Sequence, residues 1–85
     1  MSKFIECLFN FDAEDNPVYL NVDKIIKFKV AVMGGSNFFY IKVSSEQTLA
    51  VLPFRTKTYK GDEEYDEAYK EAQDYLKKYI EELNK

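Results

Sequence analysis

From residue 62 onward the apolar residues recur with the period of a helix and occupy only one side of it. At about 100° per residue, Tyr65, Ala68, Tyr69, Ala72, Leu76, Tyr79, Ile80 and Leu83 share one arc. From Glu63 onward the opposite arc is polar or charged throughout. Such a helix is stable only where that arc is covered by another layer, so the preceding residues must supply one. Asp62, Glu63 and Glu64 place negative charge at the positive end of the helix dipole, and Asp62 is the expected N-cap. Asp66 with Lys70, Asp74 with Lys78 and Lys77 with Glu81 are spaced i,i+4, each pair adding about 0.2–0.5 kcal/mol.

Before residue 62 the period is two, the signature of strands. The clearest case is 24–32, KIIKFKVAV, where Ile26, Phe28, Val30 and Val32 alternate with Lys27 and Lys29. Residues 33–37, MGGSN, supply turn chemistry through Gly34 and Gly35. FFYIKV (38–43) then returns with Phe39, Ile41 and Val43 on one side and Phe38, Tyr40 and Lys42 on the other. The segment 3–11 reads as a strand with Ile5, Cys7, Phe9 and Phe11 on one parity, closed by the turn formers of 12–17. Residues 18–22 form a strand with Val18, Leu20 and Val22 on one face, and 18–32 is either one bent strand or two. A final strand, 48–54, carries Pro53, which cannot donate to a ladder and marks an edge or an end.

Short strands joined by short turns form antiparallel meanders, because parallel pairs need long crossovers. The expectation is a single two-layer α+β domain: four to five antiparallel strands over 1–54, a linker at 55–61 and a helix at 62–84 across one sheet face. Tyr65, Tyr69, Leu76, Ile80 and Leu83 of the helix would meet Ile26, Phe28, Val30, Phe39, Ile41 and Val43. Four of the seven tyrosines lie in the helix. Their rings should pack on the sheet, with Tyr75 at the border of the arc, although tyrosine is also favoured at partner surfaces.

A net charge of −3 conceals segregation: residues 1–23 carry −4, residues 24–60 carry +6 and residues 61–85 carry −5. On strand parity, Lys27, Lys29, Phe38, Tyr40 and Lys42 share the sheet face turned away from the helix, with Arg55 and Lys57 following in the same basic block. One helix cannot cover both faces, and an exposed aromatic face marks self-association or a partner. The reading is a small non-enzymatic protein-interaction or regulatory module that self-associates, as a homodimer, through this face. Rings beside cations also suit single-stranded nucleic acid, the alternative function. A third class is an inhibitor that presents Glu63, Glu67 and Glu71 to a basic partner in imitation of phosphate.

Chemistry is excluded more firmly than function is assigned. With no histidine, neither Ser/His/Asp nor Cys/His catalysis can be built. Cys7 is the only cysteine, so no internal disulfide and no thiolate zinc cluster is available. Its place between Ile5 and Phe9 on a strand is that of a small buried hydrophobe. Asp12, Glu14 and Asp15 lack the spacing of a calcium loop, and MGGSN precedes a strand where a phosphate cradle precedes a helix. No cofactor, metal or small-molecule substrate is expected. Neither a signal peptide nor a membrane-length apolar run is seen, which with the lone thiol favours the cytoplasm.

Overall fold

The computed structural model describes residues 3–9, 17–32, 34–46 and 48–84. Five antiparallel strands precede one helix: β1 Phe4–Cys7, β2 Val18–Asn21, β3 Ile25–Val32, β4 Phe39–Ser45, β5 Leu49–Arg55 and α1 Gly61–Leu83. The fold is α+β, with β1–β2 a two-stranded sheet and β3–β4–β5 a three-stranded meander packed against α1. Leu8 and Val51 exchange two backbone hydrogen bonds of 2.8 Å, a single antiparallel bridge that ties the smaller sheet to β5. No helix among the described residues is long and apolar enough to cross a membrane.

Residues 18–32 form two strands, because the chain turns sharply at Val22–Lys24 in one 3-10 turn. Asn21 Oδ1 accepts the Asp23 N–H at 2.9 Å, the local side-chain bond through which Asn opens a turn. The β3–β4 hairpin closes on Gly35 at φ 84° and Asn37 at φ 49°, positive values that glycine and asparagine tolerate best. Phe11 and the acidic turn with Asp12, Glu14 and Asp15 lie outside the described residues.

β4 obeys its alternation: Phe39, Ile41 and Val43 face inward and are at most 2% exposed. β3 departs from it. Ile25 opposes Ser45 and Lys27 opposes Ser44, so β3 carries one more residue than β4 across that step. The bulge puts Ile25 against the core and Ile26 outside, 66% exposed, where simple alternation places Ile26 beneath the helix. In β5, Arg55 opposes Tyr40 and Val51 opposes Lys42, two residues more than β4 has there, and the exposed Pro53 falls inside the irregular stretch. Phe9, read as inward, is likewise exposed.

α1 begins one residue before the expected cap. Lys60 is the N-cap and makes no side-chain capping bond; its own backbone N–H donates to the Glu64 carboxylate, while Asp62 sits in the first turn. At the other end Asn84 donates to the carbonyls of Ile80 and Glu81, and the Lys3 ammonium donates to Leu83 O at 2.9 Å. A cation there complements the negative end of the helix dipole.

The helix is rotated relative to its apolar arc. Ala68 and Ala72 are buried, and Tyr75, Leu76, Tyr79 and Leu83 pack half-buried on the core. Tyr65 and Tyr69, each 41% exposed, and Ile80, 38% exposed, form the flank of the contact where its centre was expected. Aromatic fit sets the rotation. Tyr75 stacks on Phe54 at 3.8 Å with planes 7° apart, and Phe39 sits over the two small alanines, ringed by Tyr59, Tyr65 and Tyr69 at 5.2–5.5 Å. Larger residues at 68 and 72 would lift the helix from Phe39.

Urea denaturation of three variants checks this core. Ile41→Ala is expected to cost about 2–5 kcal/mol and Ala72→Leu about 1–3 kcal/mol through overpacking. Ile26→Ala, on the bulge, should change stability by less than about 0.5 kcal/mol.

Candidate protein-docking groove

β3 is the last strand of its sheet, and among the described residues no strand pairs with its far side. Strand edges of this kind present backbone donors and acceptors to whatever approaches. Beside that edge runs the exposed flank of α1. Between them lies an open groove of about 620 Å³ whose apolar lining is Phe28 and Val30 from the strand and Tyr69, Leu76 and Ile80 from the helix. Its polar lining is Lys29, Gln73, Lys77 and Glu81. Ile26 and Val32 are also exposed on the same strand, outside the groove lining.

The face of the meander turned away from the helix holds most of the sequence-predicted binding residues. Cross-strand register sets Lys29 opposite Lys42, Lys27 opposite Ser44, and Tyr40 between Ala31 and Arg55. Lys27, Lys29 and Arg55 are exposed, while Tyr40 and Lys42 are half-buried. Lys27, Lys29 and Lys42 make no ion pair among the described residues, and like charges directly opposite one another destabilise a sheet.

Phe38 departs from expectation. It is 5% exposed and packed beneath Arg55, whose guanidinium carbon lies 5.2 Å from the ring centroid. The link after β5 runs back along the start of β4, with Thr56 N–H bonded to Phe39 O and Tyr59 N–H to Asn37 O, each at 3.0 Å. Thr56, itself buried, accepts the Phe39 N–H on its Oγ1 and donates that hydroxyl to Lys57 O. This continuation past the strand, unreadable from the irregular RTKTYK, brings cover to Phe38. The sheet face is therefore cationic with one half-buried ring, in place of the two-ring face expected.

Lys57 shares one hollow with Arg55 and Phe38 and borders a second with Glu64, Glu67 and Glu71 at the start of α1. Glu63, Glu67 and Glu71 are all exposed, but Glu63 does not line that hollow. No group of three or more carboxylates or thiols among the described residues could hold a metal.

The groove residues were legible as apolar but not as a site. Their signal is that the helical arc is too wide for one contact, leaving Tyr69 and Ile80 over once Ala68, Ala72 and Tyr75 are seated. Which strand lies at the edge is a matter of pairing, on which local alternation is silent.

No protein-family model, curated protein or solved structure matches the chain.

Cys7 is fully buried, and burial pushes its thiol up from 9.0 to about 11, with the nearby Glu6 charge adding to the effect. Burial likewise raises Tyr79 from 10.0 to about 12, with Cys7 and Tyr75 as smaller contributors. In the unfolded chain both groups ionise at lower pH, so the unfolded state releases protons first and stability falls as pH rises. Denaturation midpoints should be flat up to about pH 9 on account of these groups and decline from there toward pH 12. Tyr79→Phe, which keeps the ring and removes the hydroxyl, should lessen the decline above about pH 10.

Proposed function

We propose that the chain is a small non-catalytic protein-interaction module that takes its partner in the groove between the β3 edge and α1. The observation that carries this reading is the juxtaposition of a strand edge, unpaired among the described residues, with an open, apolar groove along it. An extended segment placed there can bond to the edge through its backbone while alternate side chains enter the groove, the mode known as strand addition. The partner is another protein or a second copy of this chain. A lone thiol that is deeply buried suits work in the cytoplasm.

The outer sheet face, where sequence alone placed the interface, is a weaker candidate for an apolar contact. Phe38 is covered, and Lys27 and Lys29 on the edge strand and Lys42 on the central one make the face cationic. Those same lysines favour a second reading, in which single-stranded nucleic acid lies across the face, its phosphates relieving the repulsion between Lys29 and Lys42.

Two measurements separate the readings. Peptides selected for binding from a random library should shift the backbone NMR resonances of β3 and of residues 69–80. Ile80→Asp should weaken them at least about tenfold, since it puts a charge in an apolar groove, with circular dichroism checking that the fold is kept. Labelled single strands, by contrast, should bind with an affinity that falls steeply with salt, and with Lys29→Glu or Lys42→Glu, only if the second reading holds. Peptide shifts confined to β4 and β5 would remove the groove reading.

A further inference from the structure

We infer that the groove's occupant is an extended segment of another protein in which apolar residues alternate with aspartate or glutamate. This rests on the groove reading and adds the chemistry of the partner. A strand laid on the β3 edge turns alternate side chains to opposite faces of the sheet. Those on the helix side meet Phe28, Val30, Leu76 and Ile80, which accept apolar groups. Those on the other side come down beside Lys27 and Lys29, with Lys42 one strand further in. These three cations have no counter-charge among the described residues, and Lys29 faces Lys42 directly. Acidic side chains there form cross-strand pairs of opposite sign and relieve a repulsion already built into the sheet.

The same lysines argue against a second copy as the occupant. Two β3 strands paired antiparallel about Phe28 set Lys27 of each copy opposite Lys29 of the other. Paired about Lys29, they set that residue opposite its own counterpart. Lysines on an edge strand are a common defence against self-pairing.

Three synthetic eight-residue peptides test the inference, with identical apolar residues at alternate positions and Glu, Ser or Lys between them. Titrated against the full chain by fluorescence anisotropy, the Glu peptide should bind about two- to thirtyfold tighter than the Ser peptide, from two cross-strand ion pairs. The Lys peptide should bind weakest. In a Lys27→Glu/Lys29→Glu variant the order should reverse; both positions are exposed, and circular dichroism checks that the fold is kept. Backbone N-methylation at alternate positions should abolish binding in one of the two possible phases and spare it in the other. Equal affinity for the Glu and Lys peptides overturns the acidic preference while leaving the groove reading intact. No binding of any of the three, with β3 resonances unmoved, overturns the groove reading as well. A dimer in light scattering that the double variant dissociates or tightens, and that the Glu peptide fails to displace, overturns the inference in favour of a second copy. Displacement of the Glu peptide by single-stranded DNA without any shift in α1 overturns it in favour of nucleic acid.

Discussion

Everything in this molecule is organised around the inner face of β4. Phe39, Ile41 and Val43 are almost wholly buried, and strand neighbours on both sides hold their spacing. Phe39 faces the two alanines of α1, while Ile41 and Val43 pack among Ile5, Cys7, Leu20, Ala50 and Leu52. The helix comes close only because Ala68 and Ala72 present no bulk. That close approach at one end of the helix rotates its apolar arc, seats Tyr75 on Phe54 and leaves Tyr69 and Ile80 partly exposed at the flank of the contact. In a chain of 85 residues, where the buried fraction of the surface is small, one strand and two alanines therefore decide which other apolar side chains remain free.

Much of this architecture was legible because both kinds of periodicity are strong. Alternation over FFYIKV correctly sorted Phe39, Ile41 and Val43 from the residues between them, and the one-sided arc after residue 62 correctly required a sheet beneath it. Failures came where geometry depends on pairing. A bulge adds one residue between Ile25 and Lys27 and reverses the expected place of Ile26, and nothing in KIIKFK marks it. Phe38 obeys its parity yet is covered, because RTKTYK runs back beside β4 through bonds from the backbone and from Thr56. Asp62 yields the cap to Lys60 because Glu64 reaches back to the backbone N–H of Lys60 at the start of the helix.

The site followed the same division. Charge segregation brought Lys27, Lys29, Lys42 and Arg55 into view as one surface, and strand register does gather them on one side of the meander. Lys57 and the helical glutamates were separated in the sequence reading, whereas the link after β5 brings Lys57 beside Glu67 and Glu71. The groove has no signature in the sequence because it arises from two leftovers: the edge of β3, unmatched among the described residues, and the flank of a helix turned to suit Phe39. Neither exists until the sheet has been ordered and the helix docked.

The hydrogen bond from Lys3 to Leu83 joins positions 80 apart in the chain. Contacts of such separation form late, since the intervening polymer must first lose its freedom. We expect the final helical turn to be clasped after the β1–β2 pair has come to rest against β5 through the bridge at Leu8 and Val51. Local opening should follow the same route backwards: loosening that bridge frees the first strand and uncaps the last turn together, so two chain ends remote in sequence behave as one cooperative unit.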